Sequence, residues 1–188
     1  MLFTLFYPTA YVESVFTLDY QRLWSLGYRG LIFDIDNTLV PHGADATGEI
    51  EALFRFLHTL GFRTLMLSNN SAVRIERFLR NIDSLYIEDA GKPCPGAYRR
   101  AVETLALRRE EVLVIGDQVF TDILGANLSG LDSVLVKFIG HDTETAPGKR
   151  RKAEALILRF YQKSRFPRKR LEEVEHKERV TEYAVEQK

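Results

Sequence analysis

Apolar and polar positions alternate along this chain in blocks whose period switches between strand and helix. Leu31-Ile32-Phe33 is a short apolar run closed by Asp34, which predicts a buried strand over 30–34. Similar runs predict strands over 63–67, 85–87, 112–115 and 133–138. Between them the period lengthens. Ile50, Leu53, Phe54, Leu57 and Leu60 recur at helical spacing and predict a helix over 49–60, ended by Gly61. Leu18, Leu23, Trp24 and Leu26 mark a helix over 19–27 that Gly27 closes, and 72–79 reads as another. Pro95 opens a helix over 95–107 at a favoured first-turn position, and Gly130 stops one over 120–128. Residues 41–48 and 91–93 carry turn formers. Strand and helix alternate throughout, so the expected fold is α/β, a doubly wound parallel sheet covered on both faces.

Composition narrows the class. At 188 residues and 45% hydrophobic content, one domain with a sizeable core is expected. Lys+Arg 26 balances Asp+Glu 26, so net charge gives no argument for nucleic acid, and none is expected as a partner. The single cysteine, Cys94, lies between two prolines and reads as a bystander; no internal disulfide is possible, which fits a reducing compartment. Residues 1–7 are apolar, but Pro8 and Glu13 interrupt them and no basic residue precedes them, a poor signal peptide. No apolar run approaches the roughly 20 residues that span a bilayer. The expected location is the cytoplasm, with peripheral contact to a membrane face left open.

Polar residues then stand out at the strand ends. Asp34 and Asp36 follow the first strand with Thr38 two residues on; Ser68 follows the second; Lys92 sits in the 91–93 turn; Gly116-Asp117 follows the 112–115 strand, with Asp122 beyond. In an open α/β sheet that edge is where ligands bind. Each signal alone has a bland alternative: Ser68 as a turn residue, Lys92 as a solvated cation, Gly116-Asp117 as a cap, the two aspartates as turn formers. Two unit charges about 4 Å apart repel by roughly 4 kcal/mol at an effective dielectric near 20, so a fold that gathers them has a cation or a chemical use for them. The order and spacing of all four together are hard to produce by accident.

The set resembles the four motifs of the haloacid dehalogenase-like (HAD) superfamily. Asp34-Ile35-Asp36-Asn37-Thr38-Leu39 matches the first, Ser68 the second, Lys92 the third, and Gly116-Asp117-Gln118-Val119-Phe120-Thr121-Asp122 the fourth. Pro8-Thr9-Ala10-Tyr11, the 23–27 segment and the run from Gly30 to Pro41 are similar to the YqeG family of HAD class IIIA phosphatases, which is related to phosphatidylglycerophosphate phosphatases. The resemblance implies that Asp34 is the nucleophile, forming an aspartyl phosphate, and that Asp36 is the general acid and base. It implies a divalent cation held by the Asp34 carboxylate, the Asp36 backbone carbonyl and the Asp117 carboxylate, and Mg²⁺ suits that oxygen set. Ser68 and Lys92 would bind the substrate phosphate, with Asn69 adding a contact at the rim or serving only as a turn residue. Thr38 would buttress the Asp36 loop, and Gly116 and Asp122 would support the site.

Residues 36–68 and 68–92 leave no room for an inserted cap domain, so none is expected on this Rossmann-like HAD core. An uncapped site admits a large substrate or one held at a surface. Residues 1–148 are expected to form the phosphatase core with an N-terminal extension. Residues 149–188 are expected to form a basic amphipathic helix and a polar tail. In that basic stretch Lys149, Arg150, Arg151, Lys152, Arg159, Lys163, Arg165, Arg168, Lys169 and Arg170 face one acid, Glu154. It either packs Leu156, Ile157 and Phe160 on the sheet or lies on an anionic membrane. The favoured function is a Mg²⁺-dependent phosphatase for a phosphate monoester, phosphatidylglycerophosphate by resemblance. A sugar phosphate, nucleotide or phosphoprotein is the alternative substrate. A phosphorylation-switched receiver-like module is the non-enzyme alternative, although receivers place their acidic pair first and the acceptor aspartate on a later strand.

Overall fold

In the computed structural model the chain is described over residues 2–139 and 149–163, with Leu171, Val174 and Glu175. Burial explains which strands take the centre of the sheet. β1 (Ala10–Val12) precedes α1 (Tyr20–Ser25) and β2 (Gly30–Phe33); α2 (Gly48–Thr59) leads to β3 (Arg63–Leu67), and α3 (Ala72–Phe78) to β4 (Leu85–Ile87). α4 (Pro95–Leu105), β5 (Val112–Gly116), α5 (Leu124–Leu128), β6 (Asp132–Val136) and α6 (Lys149–Lys163) follow. Every residue of β2 and of β5 is buried, which requires cover on both faces. They lie side by side in a parallel six-stranded sheet of order β1-β6-β5-β2-β3-β4.

The strand period of two sorts the core into layers. Leu31, Phe33, Met66, Leu113 and Ile115 point to one side and meet Leu53, Phe54 and Leu57 of α2 with Leu23 of α1. Ile32, Leu65, Leu67, Val112 and Val114 point to the other and meet Tyr98, Ala101 and Leu105 of α4. Local chemistry sets the helix ends. The Asp19 side chain accepts the Arg22 N–H at 2.7 Å and Thr47 accepts that of Ile50 at 3.3 Å, each an N-cap. Gly61 closes α2 with φ +95, a conformation that disfavours any side chain. The connection from β2 to β3 holds α2, and that from β3 to β4 holds α3; neither carries a cap domain.

The structure differs from the sequence expectation in four places. β1 was not predicted; it is three residues long, too short to show a period, and joins the sheet edge through Thr9 N–H to the Ser133 carbonyl at 2.8 Å. The helix expected over 120–128 divides into a π-helical turn, Val119–Ile123, and α5. α6 packs on another face than expected: Leu156 and Phe160 are 55% and 58% exposed, whereas Glu154 and Tyr161 are buried and Ile157 and Leu158 are half-buried against Val119, Ile123 and Leu135. The rotation follows from polar anchors on its first two turns, described below. Finally, the expected polar tail returns part of itself to the core. Leu171 and Val174 are buried there, the Asp19 N–H donates to the Val174 carbonyl at 2.8 Å, and Leu18 bridges Glu175. Arg165, Arg168, Lys169, Arg170 and the other tail residues lie outside the described residues. Among the described residues no helix is long and apolar enough to cross a membrane.

This packing has a direct consequence in urea denaturation. Tyr161→Ala removes a buried ring that stacks edge-on to Tyr7 at 5.5 Å, and is expected to cost about 2–5 kcal/mol. Phe160→Ala, on the exposed face, is expected to stay within about 0.5 kcal/mol of the parent. Equal losses would mean that α6 presents another face.

Candidate active site

Strand register brings distant residues to one edge. Phe33 of β2 sits opposite Met66 of β3 and Ile115 of β5, so the next residues, Asp34, Leu67 and Gly116, leave the sheet at one level. Ser68 and Asp117 follow one position on. β2 lies where the chain order reverses, with later strands added on both sides of it; a crevice opens at such a switch point. The Asp34 N–H still pairs with the Ile115 carbonyl at 3.0 Å, which fixes its direction. The chain then turns tightly. Leu39 N–H returns to the Ile35 carbonyl at 2.9 Å, and Asn37 takes the left-handed conformation at φ 65, tolerable for Asn.

The cleft is lined by Asp34, Asp36, Ser68, Asn69, Asn70 and Lys92 among others. Lys92 Nζ lies 2.5 Å from Asp34 Oδ1 and 2.7 Å from Asp122 Oδ1. The Thr38 hydroxyl, 1% exposed, is 3.4 Å from Asp34 Oδ2 and 3.2 Å from Asp117 Oδ1. Thr38 thus ties the turn that carries Asp36, through its N–H to the Ile35 carbonyl at 3.3 Å, to the two buried carboxylates. Gly116 admits Asp122: a Cβ there would lie 2.4 Å from Asp122 Cγ. Asp122 Oδ2 also accepts the Gln118 N–H at 3.1 Å, which pulls the π-helical turn back over the strand end. Asn69 sits at the rim, where its Oδ1 accepts the Lys92 N–H at 2.8 Å, so it shapes the lysine loop.

Some of the machinery carried no signal in the sequence reading. Asn70 Nδ2 donates to Asp36 Oδ2 at 2.6 Å and to Ser68 Oγ at 3.0 Å. Arg74 Nη2 and the Gly43 N–H both reach Asp36 Oδ1, each at 2.9 Å. Arg151 of α6 donates to the Asp117 carbonyl at 2.9 Å and to its carboxylate oxygen Oδ2, and also pairs with Glu154 at 3.0 Å. Asn70 and Arg74 belong to α3 and its approach, where polar residues are ordinary. Glu154 offered a clue, as the lone acid in a basic stretch.

Burial and charge set the protonation of the three site aspartates differently. Burial pushes Asp34 up to about 7; Lys92 opposes this, and Asp122 and Asp117 add to it. Burial, with Asp122, pushes Asp117 up to about 6 against the pull of Arg151. Asp36 goes the other way: burial would raise it, but hydrogen bonds from Gly43, Asn70 and Arg74 hold it below the usual carboxylate range. Burial alone would lower the Lys92 ammonium, yet Asp122 and Asp34 keep it above its ordinary value. Asp34, Asp117 and Asp122 each offer a carboxylate oxygen within 4.8 Å of the others. A buried all-oxygen anionic set of this kind fits a hard divalent cation.

This arrangement, at the carboxyl edge of a parallel sheet, defines a HAD-type hydrolase. A family model described as HAD-hydrolase-like matches residues 89–158. The chain is 34% identical over 137 residues to the probable phosphatase YqeG of Bacillus subtilis, covering 72% of this chain and 80% of that protein. It is 28% identical over 111 residues to a glyceraldehyde 3-phosphate phosphatase of Pyrococcus abyssi, covering 54% of this chain and 46% of that protein. A solved structure of an uncharacterized Listeria monocytogenes protein shares the fold, with TM-score 0.50 and 18% identity over 70% of this chain and 99% of that one. The chain belongs to the YqeG-like family of HAD phosphatases, phosphoric monoester hydrolases.

A stability measurement tests the electrostatics. A carboxyl raised above its unfolded value keeps its proton in the native state while the unfolded chain releases it, so native stability falls as pH rises through that window. For Asp34 the window runs from its ordinary 3.8 to about 7. In chelator, urea stability of the parent is expected to fall relative to Asp34→Asn between pH 4 and pH 7. Parallel profiles for the two proteins would contradict the assignment.

Proposed function

We propose that this phosphatase hydrolyses its ester in two steps through Asp34, with Mg²⁺ as the cation. The observation that carries the reading is the position of Asp34, aimed into the cleft by β2 and gripped by Lys92 and Thr38, with Asp36 and Ser68 lining the same space. Asp34, Asp117 and the Asp36 backbone carbonyl are the residues assigned to hold Mg²⁺. When bound, the ion neutralises charge on the carboxylates and on the transferring phosphoryl oxygens. A carboxylate oxygen of Asp34 attacks phosphorus, the ester P–O bond breaks, and the departing alkoxide takes a proton from Asp36. Asp36 then takes a proton from water, whose oxygen attacks the aspartyl phosphate; inorganic phosphate leaves and Asp34 is regenerated. Hydrogen bonds keep the proton affinity of Asp36 low at rest. The charge of the arriving phosphate raises it, and Asp36 takes from solvent the proton that it gives to the alkoxide in the first step. Ser68 donates to a phosphoryl oxygen, and Lys92 balances the charge of the phosphoryl group.

The favoured substrate is the phosphate monoester of an anionic lipid headgroup, phosphatidylglycerophosphate. Two features support it. The site lacks a cap, so a headgroup can enter while its chains stay in a bilayer. The outer stripe of α6 also carries Lys149, Lys152, Leu156, Arg159, Phe160 and Lys163, all exposed. A cationic stripe with apolar side chains between its charges suits the surface of an anionic membrane, at about 1 kcal/mol per basic residue. The similarity to a glyceraldehyde 3-phosphate phosphatase favours a second reading, a small soluble ester.

Phosphate release from a panel tests both readings. The panel comprises phosphatidylglycerophosphate in mixed micelles, glyceraldehyde 3-phosphate, sugar phosphates, nucleotides and a phosphopeptide, each with Mg²⁺ and with chelator. Asp34→Asn is expected to lower kcat by about 10³-fold or more, and Asp36→Asn by about 10²–10⁴-fold. Chelator is expected to abolish turnover. The micellar lipid is expected to be turned over best. Turnover that survives Asp34→Asn overturns the mechanism, and equal turnover of soluble esters overturns the lipid assignment.

A further inference from the structure

α6 begins at the cleft and is locked there. Glu154, 3% exposed, accepts the Val119 N–H at 3.0 Å through Oε1 and the Arg151 guanidinium at 3.0 Å through Oε2. Arg151 in turn grips the carbonyl and carboxylate of Asp117. Further along, Ile157 and Tyr161 pack on the core. Arg150 lies in the same helical stripe as Glu154, Ile157 and Tyr161, one turn toward the helix start. That stripe faces inward, so Arg150 is directed at the cleft and forms part of its lining. Its guanidinium carbon lies 5.6 Å from the centroid of the Phe120 ring, which itself rests edge-on against Phe6 at 5.6 Å.

The cations around the cleft differ in what they already neutralise. Lys92 is held between Asp34 and Asp122, Arg151 between Asp117 and Glu154, and Arg74 against Asp36. Arg150 is exposed and has no carboxylate partner among the described residues. It therefore brings uncompensated positive charge to the mouth of a site whose floor is crowded with carboxylates. An aromatic face beneath a guanidinium orients its plane and leaves its N–H edge free for a bidentate anion.

On the reading that this site hydrolyses a phosphate monoester, we propose that Arg150 is a specificity-determining residue that binds a second anionic group of the substrate. The substrate class is then a phosphate monoester with a phosphodiester, second phosphate or carboxylate a few atoms away, not an ester with a neutral tail. The locked helix does for this uncapped enzyme what an inserted cap would otherwise do: it places a recognition residue over the reacting phosphate. A lipid headgroup and a free soluble metabolite present the same second anion, so the test separates them.

Steady-state kinetics with Mg²⁺ would compare glycerol 3-phosphate, glycerol bisphosphate, the deacylated headgroup glycerophosphoglycerophosphate, and phosphatidylglycerophosphate in micelles. The parent enzyme is expected to favour the doubly anionic esters over glycerol 3-phosphate by about tenfold or more in kcat/KM, expressed in KM. Arg150→Ala is expected to bring that ratio close to one, and Arg150→Lys to restore part of it. Loss of the ratio for both the micellar lipid and its soluble headgroup supports the second-anion site with the headgroup phosphodiester as its ligand. Loss for glycerol bisphosphate alone supports it with a soluble metabolite as ligand. A parent without preference, or Arg150→Ala slowing every ester equally, overturns the proposal. Loss confined to the micellar lipid also overturns it, since Arg150 would then read the charge of the interface. If the parent hydrolyses no ester at all, the phosphatase reading fails first and the subsite falls with it.

Discussion

Carboxylates do not gather inside a protein unless something opposes their repulsion. Here Asp34, Asp117 and Asp122 are buried with ligand oxygens within 4.8 Å of one another, and two cations face them. Lys92 binds Asp34 and Asp122 from the loop before α4, and Arg151 binds Asp117 from α6. Burial first, and the neighbouring carboxylates second, hold Asp34 and Asp117 above the ordinary carboxylate range despite these cations. The carboxylate oxygens so gathered form a candidate site for a divalent cation, which on the proposed reading would offset their charge and let a phosphoryl group approach.

The rest of the fold serves that cluster by fixing where its members can be. The central pair β2 and β5 is buried on both faces and in register, so Asp34 and Asp117 emerge side by side. Gly116 lets Asp122 close over the strand end, and the π-helical turn delivers it there. Tyr98 of α4 supports the same turn, donating its hydroxyl to the Thr121 carbonyl at 2.9 Å. Asp36 belongs to a separate network with Gly43, Asn70 and Arg74, and this keeps its proton affinity low while that of Asp34 is high. Two neighbouring aspartates thus take opposite proton affinities from their partners. For the proposed roles a bound dication would have to lower that of Asp34 and an arriving phosphate raise that of Asp36.

Sequence made much of this legible, for physical reasons that also explain what it hid. β2, β3, β5 and the helices between them announced themselves because each must bury a continuous face, and burial leaves a period. Asp34, Ser68 and Asp117 were legible as neighbours because parallel strands place their carboxyl ends on one edge whatever their separation in the chain, whereas Lys92, in a loop, was legible only through the motif resemblance. β1 stayed hidden because three residues at a sheet edge have no period to read. Of the three apolar residues that one reading packed on the sheet, Ile157 does pack there, while Leu156 and Phe160 stay exposed because the Glu154 and Arg151 anchors, which hydrophobicity does not encode, set the rotation of α6. The partners of Asp36 were invisible for a related cause: Asn70 and Arg74 act through tertiary contacts, and no local spacing encodes them.

The central claim is that the Asp34 carboxylate accepts the phosphoryl group. The direct measurement is to quench the enzyme in acid during turnover of a ³²P-labelled ester, reduce the protein with borohydride, and map the modified residue by peptide mass spectrometry. The account predicts acid-stable, hydroxylamine-labile label at substoichiometric level, and homoserine in place of Asp34. Label on another residue, or turnover with none bound to protein, would contradict it.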